Sequence, residues 1–286
     1  MASKRRFRKK RVARGRTKRA YRGGGGGSCD FPRHKGNTYI FYHIYCNEHT
    51  FDVVRDQVTR IIFSGLYAYV DAINYALVGN KDKMSRIKEF LSKSGEKFKP
   101  IIEAENDTTY ERITLNAIKH TVKADDIFLY IHSKGVGRHE GMKAENIWWW
   151  RNWMEYYLMY RFRECITELL KPTVDVVGCG YANSSPIGPH FVGNFWWTKG
   201  SYYATLPAKG KDLAIGSGYN DPETFIFKGH KPNGEEVEFV DMDTTIDLNT
   251  FDPYSHPNKF EKRSNIAIES GHKRATPGIP RGANIK

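Results

Sequence analysis

From Thr38 onward, short apolar runs rich in β-branched and aromatic residues alternate with segments whose apolar positions recur every three or four residues. Few architectures accept that alternation. Thr38 to Cys46 reads as a strand, Phe51, Val54, Val58, Ile61 and Ile62 fall at helical spacing, and Ala72 to Val78 reads as a second strand. A third strand near Pro100 to Ala104, a helix from about Thr109 to Val122 with Tyr110, Ile113, Ala117 and Ile118 on one face, and a fourth strand Ile127 to His132 continue the series. The prediction is an α/β fold: a Rossmann-type, mainly parallel sheet flanked by helices. Ala144 to Leu170 holds no Gly or Pro and predicts one long helix, followed by a short buried strand, Val174 to Gly178. Beyond Gly178, loops rich in Gly, Pro, Ser and Asn bracket a possible strand at Phe191 to Trp197.

The net charge of +13 over 286 residues suggests a polyanion binder until its location is considered. Twelve of the 45 Lys and Arg residues lie within residues 4–22, which leaves 33 basic against 32 acidic residues for the rest. The inference from charge to nucleic acid or an anionic surface therefore applies to residues 4–22 alone. Five glycines, Gly23 to Gly27, follow as a tether. The expected organisation is a disordered polybasic arm and linker over 1–36, a folded domain over 37–248, and a polar tail over 249–286. Cys29, Cys46, Cys165 and Cys179 show neither CxxC spacing nor His partners at metal-finger intervals, so neither a zinc module nor a disulfide framework is expected. No run of about 18 apolar residues and no apolar segment behind the leading charges is present, so the expectation is a soluble cytoplasmic or nuclear protein without a transmembrane segment.

In an open α/β sheet, ligands bind outside the carboxyl ends of the strands. Those ends read Tyr45, Cys46 and Asn47; Val78, Gly79 and Asn80; Glu103, Glu105 and Asn106; and His132, Ser133 and Lys134, followed by Gly135, Gly137 and Arg138. The fourth is the most pointed, because Ile127 to Ile131 is continuously apolar before breaking into His, Ser, Lys and Gly. Lys134 suits a diphosphate, and the glycines allow close backbone approach. Neither GxxxxGK[ST] nor GxGxxG occurs, so nucleotide binding by those two devices is not expected. All six tryptophans fall in two clusters, Trp148 to Trp150 with Trp153, and Trp196 with Trp197. Three adjacent tryptophans cannot all face one core, so ordinary packing competes with an exposed aromatic platform for a sugar or a partner. In YNDPETFI, Asp221 is placed to cap a helix beginning at Pro222, and Glu223 either complements that helix's dipole or serves as a base. Asp241-Met242-Asp243 reads as a surface turn.

Taken in order, YIHSKG, WRNWMEYYL, DVVGCGY, PHFVGNFWW and the Glu-bearing segment after them resemble a group of GT-A-like glycosyltransferases found in bacterial surface-polysaccharide systems and large DNA viruses. The resemblance covers roughly Tyr39 to Phe227. It implies a GT-A-like fold, a hexosyl- or pentosyltransferase activity, a nucleotide sugar as donor, and a glycan or glycoconjugate as acceptor. It implies Glu223 as catalytic base with Asp221 in reserve. Donor contacts would come from Asn47, Gly79, Asn80, Glu105, His132, Ser133, Lys134 and Arg138, and acceptor contacts from His190, Asn194, Trp196 and Trp197. Enzymes of this kind usually end the fourth strand in Asp-x-Asp to hold Mn²⁺ or Mg²⁺, whereas this chain reads His132-Ser133-Lys134. Metal dependence is therefore doubtful, and the choice lies between a weaker site helped by Glu103 or Glu105 and neutralisation by Lys134 and Arg138. The competing readings are a catalytically inactive relative that only binds, and a nucleic-acid or capsid-associated protein acting through the basic arm.

Overall fold

The computed structural model describes residues 34–105, 110–137, 141–183, 186–230 and 237–243, with the backbone alone for 141–145. The basic segment 4–22, the glycine run and everything from residue 244 onward lie outside the described residues, as do Asn106 and Arg138.

The elements follow the expected alternation. They run β1 (Thr38–Cys46), α1 (Thr50–Phe63), α2 (Leu66–Tyr69), β2 (Ala72–Gly79), α3 (Lys81–Ser94), β3 (Phe98–Glu105), α4 (Arg112–Thr121), β4 (Ile127–His132) and α5 (Gly141–Glu155). A π-helical turn, Tyr156–Tyr160, leads to α6 (Phe162–Leu169), β5 (Val176–Gly178), β6 (Tyr181–Ala182), β7 (His190–Phe191), β8 (Trp196–Lys199) and α7 (Gly200–Tyr203). The rest are β9 (Ala208–Lys209), β10 (Asp212–Leu213), α8 (Asp221–Phe225) and β11 (Phe239–Asp241).

Seven strands form one sheet in the order β11-β5-β8-β4-β1-β2-β3. All pairs are parallel except those of β8, which runs antiparallel to both β4 and β5. The fold class is thus the expected α/β one, with a mainly parallel sheet between two helical layers. One face packs Ile40, Tyr42, Ile44, Leu129 and Ile131 against α1, α3, α5 and α6, and the other packs Phe41, Phe128 and Tyr130 against α4, α7 and α8. Near-continuous burial of β1, β2 and β4 explains why these strands read as apolar runs without alternation.

Three expectations are corrected. The long helix over 144–170 is interrupted by the π-helical turn and by Arg161, which leaves helical geometry at φ −98° and ψ 27°. The segment 191–197 is two strands in different sheets, divided by a turn in which Gly193 has φ +94° and Asn194 φ +56°. Asp241-Met242-Asp243 is no surface turn: both carboxylates are buried at the end of β11. Asp241 accepts the Gly180 and Tyr181 amides at 2.8 and 3.0 Å, and Asp243 accepts Trp153 Nε1 at 2.9 Å. Those acids tie the β5 and β11 ends to α5. Among the described residues, no helix is long and apolar enough to cross a membrane.

Candidate functional site

Strand order reverses between β1 and β4, so the crevice outside their carboxyl ends is where an open α/β sheet takes a ligand. Residues 45–47 and 132–134 meet there. Because β8 is antiparallel, the residues before it, Gly193 and Asn194, reach the same edge.

Much of the predicted donor side is spent on the fold itself. Ser133 Oγ accepts the Tyr45 amide at 2.9 Å, pinning β4 to β1. Asn47 accepts from Thr50 Oγ1 and the His49 amide, and donates through Nδ2 to the Val136 carbonyl at 2.7 Å. Its side chain therefore ties the start of α1 to the 133–137 loop. Asn80 caps α3 by accepting the Lys83 amide at 3.1 Å. Gly79, at φ +122°, is required where a Cβ would come within 2.7 Å of the Cys46 carbonyl oxygen, so its role is close strand packing. Glu103 pairs with Lys88 at 2.5 Å, and Glu105 is exposed at the end of the same edge strand. Three inter-strand steps, about 14 Å, separate that strand from β4, too far for either acid to assist a cation there. Arg138 lies outside the described residues.

The predicted acceptor residues divide differently. Trp196 and Trp197 are core residues, not a surface platform: Trp197 Nε1 donates to the Leu158 carbonyl at 2.9 Å, and Trp196 stacks on Tyr130 with ring centroids 5.0 Å apart. Trp150 and Trp153 are buried, while Trp148 and Trp149 are partly so and meet edge-on at 4.5 Å. His190 is buried, its Nδ1 2.8 Å from the Gly188 carbonyl. Asp221 does not cap α8, whose N-cap is Asn220; it accepts the Gly218 amide at 2.6 Å instead.

Asn194 and His132 do come together, around a residue that the strand-end rule passed over. Glu111, at the N-cap of α4, accepts Tyr130 OH at 2.8 Å and Asn194 Nδ2 at 2.5 Å through the same oxygen, Oε2. Trp196 Nε1 donates to Asn194 Oδ1 at 2.7 Å, which fixes the amide with its NH₂ toward Glu111. Glu111 Oε1 lies 3.8 Å from His132 Nε2, which is itself 2.8 Å from the Gly193 carbonyl and so carries its proton. Burial, with the Lys134 charge, pushes the His132 pKa down to about 3, against the pull of Gly193 and Glu223; the ring is neutral at physiological pH. Glu223 is therefore near enough to act on His132 electrostatically. It is half-buried, and its carboxylate has no hydrogen-bond or ion-pair partner among the described residues. One carboxylate, Glu111, thus lies beside a neutral imidazole at the sheet edge, and a second, Glu223, acts on it through its charge. Helix spacing alone gave no reason to single out Glu111; only the fold brings it beneath Asn194.

On the other side of His132, Lys134 holds its ammonium 4.0 Å above the Trp150 ring. Beneath that loop lies a buried ionic cluster. Arg151 donates to the Lys134 carbonyl at 3.1 Å and lies 3.5 Å from Glu155, Arg60 pairs with Glu155 and with Asp56, and Gln57 links Glu155 to Tyr42 and to the His132 carbonyl. Burial works against the Arg60 charge, but Glu155 and Asp56 more than offset it, so the guanidinium is held more firmly protonated than usual. A divalent cation does not fit at the end of β4. His132 Nε2–H and Ser133 Oγ are engaged, the next side chain is itself a cation, and no group of three His, Cys, Asp or Glu suited to a metal occurs among the described residues.

Among solved structures, the chain is similar to a mannosyltransferase from Pyrobaculum calidifontis in complex with GDP-Man and Mn²⁺, at 13% identity and a TM-score of 0.44, covering 74% of this chain and 56% of that one. It is similar as well to glucosyl-3-phosphoglycerate synthase from Mycobacterium tuberculosis in complex with Mn²⁺, UDP and phosphoglyceric acid, at 13% identity and a TM-score of 0.42, covering 72% and 69%. A third is 4-diphosphocytidyl-2C-methyl-D-erythritol synthase from Anaerococcus prevotii, at 12% identity and a TM-score of 0.37, covering 79% and 97%. The chain spans little more than half the length of the first of these. No curated protein matches it. Residues 41–209, more than half of the chain and running from within β1 to the end of β9, match the family described as a domain of unknown function, DUF8361, and the chain belongs to that family.

Proposed function

We propose that this protein is a glycosyltransferase that moves a sugar from a nucleotide-sugar donor to an acceptor hydroxyl, with Glu223 as general base. The observation that carries the reading is neutral His132, at the carboxyl end of β4 where the strand order reverses, within electrostatic reach of the Glu223 carboxylate. The order of motifs that resemble GT-A-like enzymes supports it. Glu223 takes the acceptor proton, the freed oxygen attacks the anomeric carbon, and the bond to the diphosphate breaks with its electron pair leaving on the nucleotide. Lys134 supplies positive charge on the donor side, where the residues present do not suit Mn²⁺ or Mg²⁺. His132 presents no second positive charge there, and it keeps the base from being held in an ion pair.

The test is a thermal-shift screen of the full-length chain against nucleoside diphosphates and nucleotide sugars, with and without Mn²⁺, followed by turnover. A shift with one nucleotide is expected, with Glu223→Gln keeping that shift and losing about a hundredfold or more in transfer. No shift with any nucleotide would overturn the transferase reading. It would favour a binding protein, which is the role left open by Asn47, Asn80 and Ser133 being engaged within the fold. Contact with nucleic acid or an anionic surface is assigned to residues 4–22, where strong salt dependence would be its mark.

A further inference from the structure

The exposed aromatic surface at the sheet edge comes from tyrosine. Tyr219 is 70% exposed and Tyr110 50%, and their rings meet edge-on with centroids 5.4 Å apart. They come from separate segments, one preceding α8 and the other preceding α4, so the pair exists only in the folded chain. Arg112 holds the two segments together: Nε donates to the Gly216 carbonyl at 2.7 Å, Nη2 donates to the Gly218 carbonyl, and the guanidinium sits 5.9 Å from the Tyr110 ring centroid. Asp221 closes the same turn through the Gly218 amide. Tyr110 adopts φ +54°, an uncommon conformation for a non-glycine residue, and the ring so placed stays half in water. Packing does not explain that arrangement.

The residue after Tyr110 is Glu111. Both of its described hydrogen bonds fall on Oε2, leaving Oε1 with no hydrogen-bond donor among the described residues. Four residues after Tyr219 stands Glu223. Exposed tyrosine rings one residue from Glu111 and four from Glu223 have the make-up of a saccharide subsite: apolar C–H faces rest on rings and hydroxyls go to the carboxylate. Two rings are far too little surface for a stable protein partner, which needs on the order of 1,000 Å². They match one or two sugar rings. Among the described residues, the carboxylates of Glu111, Asp221 and Glu223 outnumber the Arg112 guanidinium on this side of His132, while the Lys134 ammonium is held over Trp150 on the other side, so an acidic sugar would meet net repulsion.

We infer that Tyr110, Tyr219 and Glu111 form the acceptor subsite, and that the acceptor is a neutral, hydroxyl-rich saccharide. The inference rests on the glycosyl-transfer reading and narrows it to a substrate class. The experiment is saturation-transfer NMR of the full-length chain with neutral disaccharides (maltose, cellobiose, lactose, mannobiose) and a uronic-acid disaccharide, alongside nucleoside diphosphate binding. At least one neutral disaccharide should bind, with the acid weaker. Tyr219→Ala should weaken that binding about tenfold or more, Tyr219→Phe should restore it, and Glu111→Gln should weaken it, all with the nucleotide dissociation constant unchanged. Nucleotide binding without any neutral saccharide binding overturns the inference and leaves the transferase reading standing. So does equal binding of the acid, or indifference to Tyr219→Ala. Saccharide binding through the tyrosines without nucleotide binding overturns the transferase reading and leaves the saccharide subsite in place.

Discussion

Two buried polar clusters lie on either side of β4, and they are built on opposite principles. On the α1 and α5 side, Glu155 is wholly buried, and Arg60, Arg151 and Gln57 surround it so that both oxygens are answered by fixed partners. On the α4 and β8 side, Glu111 is 16% exposed, the described groups that approach it are neutral, and one oxygen has no hydrogen-bond donor among the described residues. The first cluster is closed and braces the 132–137 loop; the second is open and has bonding capacity left for something that arrives. A buried carboxylate is a brace or a reagent according to whether its partners exhaust it.

The comparison breaks most visibly at Glu155. Glu155→Ala leaves two guanidiniums in the interior with Asp56 as their one remaining acidic partner among the described residues, and a loss of about 3–5 kcal/mol is expected in urea denaturation. A loss below about 1 kcal/mol would mean that the cluster is not a brace. Glu111→Gln should show the inverse pattern. The amide oxygen can still accept from Tyr130 and Asn194, so stability should change by no more than about 1 kcal/mol, while transfer falls about tenfold or more in kcat/KM. Equal damage to stability and activity would erase the distinction.

The smallest effect sharpens the contrast through pH. His132 is neutral when folded, with its pKa pushed down to about 3 from 6.5, and is protonated more readily once unfolded. Its contribution to stability is therefore intact above pH 6.5 and is lost as pH falls from 6.5 toward 3. Between pH 6.5 and 5.5 the loss should be about 1 kcal/mol, and His132→Gln should lack that component in a series of denaturation midpoints. An unchanged profile would mean that His132 is not held neutral in the folded protein.

The strand and helix alternation was readable because β1, β2 and β4 are buried on both faces and so announce themselves as apolar runs. His132 and Asn194 were reachable by asking what ends a strand or interrupts one. Glu111 was not, since its significance depends on a contact with Asn194, 83 residues away, that no local pattern encodes. The tryptophans misled for a physical reason. A large aromatic side chain is equally good core and platform, and the difference lies in which face the backbone turns inward. Trp196 and Trp197 alternate across β8 and are buried on opposite sides of the sheet, an arrangement open only to a strand covered on both faces.

The π-helical turn at Tyr156–Tyr160 separates the phases of the two helices it joins. Such a turn accommodates one residue more than an α-helix would, a change of about 100° in azimuth, and Arg161, outside helical geometry, resets the direction again before α6. Arg151 and Glu155 can thus keep the azimuth demanded by the ion cluster, while Cys165, Ile166 and Leu169 take the azimuth demanded by the core. A continuous α-helix would have to satisfy both with a single rotation. The π-turn and Arg161 together act as a phase shifter, letting one stretch of chain obey an electrostatic register and its continuation an apolar one.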